Sequence, residues 1–166
     1  SIRSGFMAAA FGIGMVFVFF AVYYRASGII ANLAIIANLL FLFAVMAYLG
    51  GTLTLPGIAG IALNVAMSVD ANVLILERIR EELRKGKPLR MAVTAGYDMS
   101  ASAILDSNLT LLVASALLFQ FGTGPIKGFA VTLTTGTIIS MFTATVLTRM
   151  LYDAWLSRRD SDAIAI

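Results

Sequence analysis

Five long apolar runs, at positions 5–24, 29–49, 53–76, 101–121 and 128–151, constrain this chain more than any other feature. A hydrocarbon core about 30 Å thick takes roughly 20 apolar residues per helical span, so each run is long enough to cross a membrane. Of the 166 residues, 60% are hydrophobic and 13% charged, and the mean hydropathy is +0.92. An ordinary soluble domain has roughly 45–50% apolar and about 25% charged residues, so a soluble globular fold is excluded. The expected architecture is an all-α membrane protein with five transmembrane helices in a domain over 1–156, followed by a cytoplasmic tail over 157–166. The breaks carry ordinary punctuation: Arg25, Ser27 and Gly28; Gly50 and Gly51; the charged stretch 77–98; and Gly122, Gly124 and Pro125.

Charge sets the orientation. Nine of the charged residues lie between Glu77 and Arg90, with Asp98 close by. With the N-terminus outside, Arg25, Arg78, Arg80, Arg84, Lys85, Lys87, Arg90, Arg149, Arg158 and Arg159 all fall on the inner side, and only Arg3 and Lys127 lie outside. The positive-inside rule selects that arrangement, so the net charge of +3 reflects topology and not nucleic-acid binding. The chain opens on Ser1 without a signal-peptide pattern and is read as a piece of a longer polypeptide. The third span is expected to continue into the cytoplasm, supported by Glu81 and Lys85 at i,i+4 and stopped by Gly86 and Pro88. A second, short amphipathic helix over 89–95 is expected to lie along the membrane surface and end before Gly96, unless it is an ordinary solvated connector.

Asp70 stands about 9 Å inside the cytoplasmic end of the third span at 1.5 Å per residue. An Asp at a span centre costs roughly 2.5–3.5 kcal/mol, which calls for a partner, a water-filled path or protonation. No Lys or Arg lies deep in any run, so a counter-charge for Asp70 must come from another chain or from water. At 100° per residue Ala59, Ala62, Ala66 and Asp70 share one stripe, and Asn64, Ser68 and Asn72 share another on the far side. Both stripes are expected to pack against protein, the alanines as a close helix crossing and the amides and hydroxyl as hydrogen-bonding glue. In the fourth span Asp106 shares a face with Ser102 and Thr110. It either continues a polar path from the cytoplasm or is a carboxylate tolerated near a helix start by the dipole and interfacial water, and Asn108 carries the same ambiguity. The hydroxyls of the last span, from Thr132 to Thr148, can bond carbonyls of their own helix, while Gly128, Gly136, Thr132 and Ser140 make a small packing face.

The chain has no Cys and no His, which removes thiolate nucleophiles, Cys/His metal sites and histidine relays. It has no phosphate-binding loop, nucleophile elbow or HExxH motif, so no enzyme activity, metal or cofactor is expected. Any proton chemistry falls to carboxylates, and any energy coupling to an ion gradient or another protein.

Several long segments stand in an order that resembles a known family: Thr52-Leu-Thr-Leu-Pro-Gly-Ile-Ala-Gly60, Val69-Asp-Ala-Asn-Val-Leu-Ile75, Glu77-Arg-Ile-Arg-Glu-Glu-Leu83, Gly122-Thr-Gly-Pro-Ile-Lys-Gly-Phe129 and Ser140-Met-Phe-Thr143. From about Ser1 to Trp155 the chain resembles the C-terminal membrane domain of the SecD/SecF protein-export family, which is similar to the resistance-nodulation-division transporters. The resemblance implies spans two to six of a six-helix half, with a preceding span and external domains upstream. It implies assistance to preprotein export across a bacterial or archaeal-type cytoplasmic membrane, driven by the proton gradient without a cofactor. The implied partners are SecF or a fused SecF half, the SecYEG channel, the exported preprotein and membrane lipid. Asp70 would then be the proton carrier and Asn72 its companion. Asp106, Asn108 and Thr110 match a family pattern whose second Thr is replaced here by Leu111, which weakens a hydroxyl relay in that span. An exporter of small molecules or lipids and a passive scaffold are the competing readings.

Overall fold

A computed structural model describes residues 1–50 and 54–158. The helices are α1 (Ile2–Tyr23), α2 (Arg25–Tyr48), α3 (Leu55–Arg84), α4 (Leu89–Phe121), α5 (Gly124–Phe142) and α6 (Thr148–Arg158), with a π-helical segment over Thr143–Leu147 between the last two. Residues Gly124–Arg158 form one 35-residue rod, and the described residues therefore hold five helices long and apolar enough to cross a membrane. The expected start of the third span at Leu53 and the tail beyond Arg158 lie outside the described residues. Helix α3 does run past its apolar stretch to Arg84, and Pro88 immediately precedes α4.

The turn between α1 and α2 is tighter than the punctuation at Arg25, Ser27 and Gly28 suggests. Arg25 adopts φ +49°, and Ser27 and Gly28 already belong to α2. The reversal is held by tertiary anchors. Buried Tyr24 donates its hydroxyl to Glu77 Oε1 at 2.9 Å, and the Arg80 guanidinium lies 4.9 Å from the centre of the Tyr23 ring while donating to the Tyr23 hydroxyl at 3.2 Å.

The segment expected as a separate surface helix over 89–95 is helical but continues straight through Gly96 into α4. Gly96 acts as a crossing point and not as a stop. A Cβ there would sit 2.4 Å from Ile79 Cγ1 and 3.0 Å from Ile79 N, so only glycine lets α4 approach α3 this closely. Ala92, Val93 and Tyr97 are buried beside it, which gives the segment a packed face that a surface helix would lack. At the hairpin tip Lys85 Nζ lies 2.8 Å from Glu82 Oε1 and Lys87 pairs with Oε2. These hydrogen bonds and charges hold the Glu82 carboxyl below the usual carboxylate range, so the clamp stays ionised although Glu82 is only 1% exposed.

The apolar core lies toward this basic end, where Phe20, Ile35, Ile75, Ile79, Ala92 and Tyr152 are buried together. In α1 only Phe20 is buried, so most of that helix is an outer element of the bundle.

Candidate functional site

The interior at mid-span is polar. Asn64 of α3 donates to Asn38 Oδ1 at 3.0 Å and accepts from the Ser140 hydroxyl at 2.8 Å, and Asn38 of α2 donates back to Ser140 Oγ at 2.8 Å. The three side chains form a closed, fully buried ring that joins α2, α3 and α5. Its geometry depends on Gly136, because a Cβ at that position would stand 2.5 Å from Asn64 Cγ. Asn38 also reaches Thr143 Oγ1 at 3.4 Å, at the start of the π-helical segment. A single π turn inserted in an α-helix shifts the side-chain register, and such turns are frequent at functional positions. Neither Asn38 nor the π segment stood out in the sequence. The only signal for Asn38 was an amide in the middle of an apolar run.

The other polar residues of α3 and α4 divide by face. Asn72 and Asn108 are buried, and each donates to the carbonyl four residues back in its own helix: Asn72 to Ser68 O at 2.8 Å and Asn108 to Ile104 O at 2.7 Å. The Thr110 hydroxyl does the same to Asp106 O at 2.9 Å. Most hydroxyls of the last rod follow this pattern, including Thr132 to Gly128 O and Thr137 to Leu133 O.

Asp70 and Asp106 are exposed. The antiparallel pair α3 and α4 is pinned where Gly96 meets Ile79, so ten residues further along each helix Asp106 comes level with Val69, next to Asp70. Their direction follows from helix periodicity. On α3, Gly60 and Asn64 face α5 and Ile79 faces α4, and Asp70, nine residues from Ile79, points away from α4. On α4, Tyr97 and Ser115 bond across to the last rod, and Asp106 points away from it. The two carboxylates therefore share one depth and are both exposed, Asp70 on the side of α3 turned from α4 and Asp106 on the side of α4 turned from α5. No ion pair to either one exists among the described residues, nor does any group of three or more acidic residues that could hold a metal.

Ala59, Ala62 and Ala66 are exposed on the same face of α3 as Asp70. With Gly5, Ala8, Ala9 and Gly12 of α1 they line a groove of about 530 Å³, and among the described residues only α1 and α3 contribute to its lining. The site thus has two parts: a buried amide and hydroxyl interior, and an exposed surface that carries the two carboxylates and the small residues. Chemically, the interior can hold helices in register, and the exposed surface can take up and release protons if water or a cation reaches it.

Residues 1–156 match the family described as protein export membrane protein SecD/SecF, C-terminal. The chain is 60% identical over 153 residues to the protein translocase subunit SecD of Endomicrobium trichonymphae, covering 92% of this chain and 32% of that protein. It is 51% identical over 162 residues to the SecD of Elusimicrobium minutum, covering 98% and 34%. Among solved structures it is similar to SecDF, a translocon-associated membrane protein from Thermus thermophilus, with TM-score 0.90 and 40% identity over 95% of this chain and 22% of that one. The chain spans about a third of the length of the curated relatives it matches.

Proposed function

This chain belongs to the SecD/SecF family of protein export membrane proteins, and from that premise we propose that it serves as the membrane-spanning part of a subunit that couples the proton gradient to preprotein translocation. The role is transport and not catalysis. The observation that carries the reading is the placement of Asp70 and Asp106 at one depth, both exposed and neither in an ion pair among the described residues. A carboxylate facing lipid there would cost roughly 2.5–3.5 kcal/mol, so the face is best matched by a second protein half that brings a cation or water. In this family a SecF half fits that requirement, with the SecYEG channel and the emerging preprotein as the further partners. We assign Asp70 as the main proton carrier and Asp106 as a secondary one. Asn72, Asn108 and Thr110 act as local supports, because their polar groups bond their own helices. The test is export by the whole protein with its partner and channel in vesicles, with and without a proton gradient. Export should rise with the gradient, and indifference to it would contradict the coupling role.

The exposed alanine stripe is the proposed seat of a partner helix, since small residues permit close approach in membranes. Ala66→Leu adds volume where overpacking costs about 1–3 kcal/mol. The purified complex should therefore lose partner under conditions that preserve the unaltered one, and undiminished association would remove the stripe from the interface.

The proposed orientation in the cytoplasmic membrane puts the α3–α4 hairpin inside. The chain lacks cysteine, so a single cysteine at Lys87 gives a clean reporter. An impermeant thiol reagent should label it only after cells are opened, and labelling from outside would reverse the topology.

A further inference from the structure

Most buried hydroxyls among the described residues bond a protein group, but four do not: Ser68 Oγ at mid-span of α3 and three others at the inner end. Ser27 Oγ, Ser100 Oγ and Tyr152 Oη are buried, and none has a hydrogen-bond partner among the described residues. They come from three different helices, α2, α4 and α6. Helix register brings them to one level. Asn38 meets Ser140 between α2 and the antiparallel last rod, so Ser27, eleven residues further along, stands level with residue 151. Tyr97 on α4 donates to Thr148 and packs edge-on against Tyr152 with ring centres 6.2 Å apart. Ser100, three residues on from Tyr97, therefore falls level with residues 145–149. A tyrosine side chain leans toward the N-terminus of its helix, which carries the Tyr152 hydroxyl back to that same level.

Leaving three hydroxyls unsatisfied at one level of a membrane interior is costly, and a buried water characteristically binds two to four such groups. We propose that Ser27, Ser100 and Tyr152 form a buried water-binding site that bridges α2, α4 and α6. A water bridge can re-form its bonds after a small displacement. The site therefore gives α6, which follows the π-helical segment, an adjustable attachment to its neighbours. This site does not depend on whether Asp70 carries protons.

The intact complex is measured by infrared difference spectroscopy in H₂¹⁶O and H₂¹⁸O, comparing the unaltered protein with Ser27→Ala, Ser100→Ala and Tyr152→Phe. Each difference spectrum should show loss of an ¹⁸O-sensitive water O–H band, and each variant should melt at a lower temperature. The Ser27→Ala and Ser100→Ala double variant should lose little beyond either single change, since both remove the same bridge. Thr137→Val is the control, because that hydroxyl bonds its own helix and its removal should leave the band intact. An unchanged ¹⁸O-sensitive band in all three variants, with Ser100→Ala melting higher because an unsatisfied hydroxyl has been removed, would overturn the proposal. The readout is water itself, so failure here is distinct from failure of proton-coupled export.

Discussion

Replacing Asn64 with alanine is expected to loosen the junction of α2, α3 and α5 and to lower the thermal midpoint of the protein in detergent. The amide gives Asn38 its donor and Ser140 its acceptor within one closed ring. Its removal leaves both partners buried, and a buried polar group without a partner costs about 1–3 kcal/mol in a folded interior. In membranes the penalty is smaller, because the unfolded helices also find partners, with measured averages near 0.6 kcal/mol per interhelical bond. Two bonds and the space vacated by the amide together give an expected loss of about 1–3 kcal/mol. A double-mutant cycle with Asn38→Ala supplies the check. The double variant should lose clearly less than the sum of the single losses, because both changes break the same ring, whereas additive losses would show that the two amides act independently.

The division of α3 into two polar faces was legible in the sequence because helical periodicity alone assigns Asn64, Ser68 and Asn72 to one side and Asp70 with the alanines to the other. Length and hydropathy were enough to count the spans, and the extension of α3 to Arg84 followed from its charge spacing and the Gly86 and Pro88 stop. The continuation of α4 through Gly96 was not legible. Glycine and proline break helices in isolation, and only the proximity of Ile79 shows that this glycine serves a crossing. The turn at Arg25 was hidden for a similar reason, because its conformation is sustained by Tyr24 and Glu77, which are 53 residues apart. The π-helical segment leaves no mark in composition or periodicity at all. The depth match of Asp70 and Asp106 required the register of α3 against α4, which two separate apolar runs cannot supply.

Asp70→Asn is expected to leave assembly intact and to abolish the contribution of the proton gradient to export. Asparagine keeps the size and hydrogen-bonding capacity of the side chain but cannot titrate. Asp70 is exposed and forms no ion pair among the described residues that the substitution could break, so the fold of this domain should be unaffected. In general a cation brought close to a carboxyl favours the ionised form, and its withdrawal favours the protonated one. A partner half that moves relative to this face can therefore load and discharge Asp70 in alternation. Each elementary charge moved through 100 mV supplies about 2.3 kcal/mol, so a few protons suffice to shift a two-state element. Asp106 stands at the same depth and could substitute in part, so Asp106→Asn should cause a smaller loss. A passive scaffold would tolerate both changes.

The most direct measurement is proton flux and gradient-driven export by the Asp70→Asn protein, assembled with its partner and channel in vesicles of fixed gradient. Assembly is verified on the same preparation. The proposed mechanism predicts normal assembly, proton flux reduced to the level of vesicles without the protein, and export no higher with the gradient than without it. Near-native flux and gradient-stimulated export in that variant would contradict it.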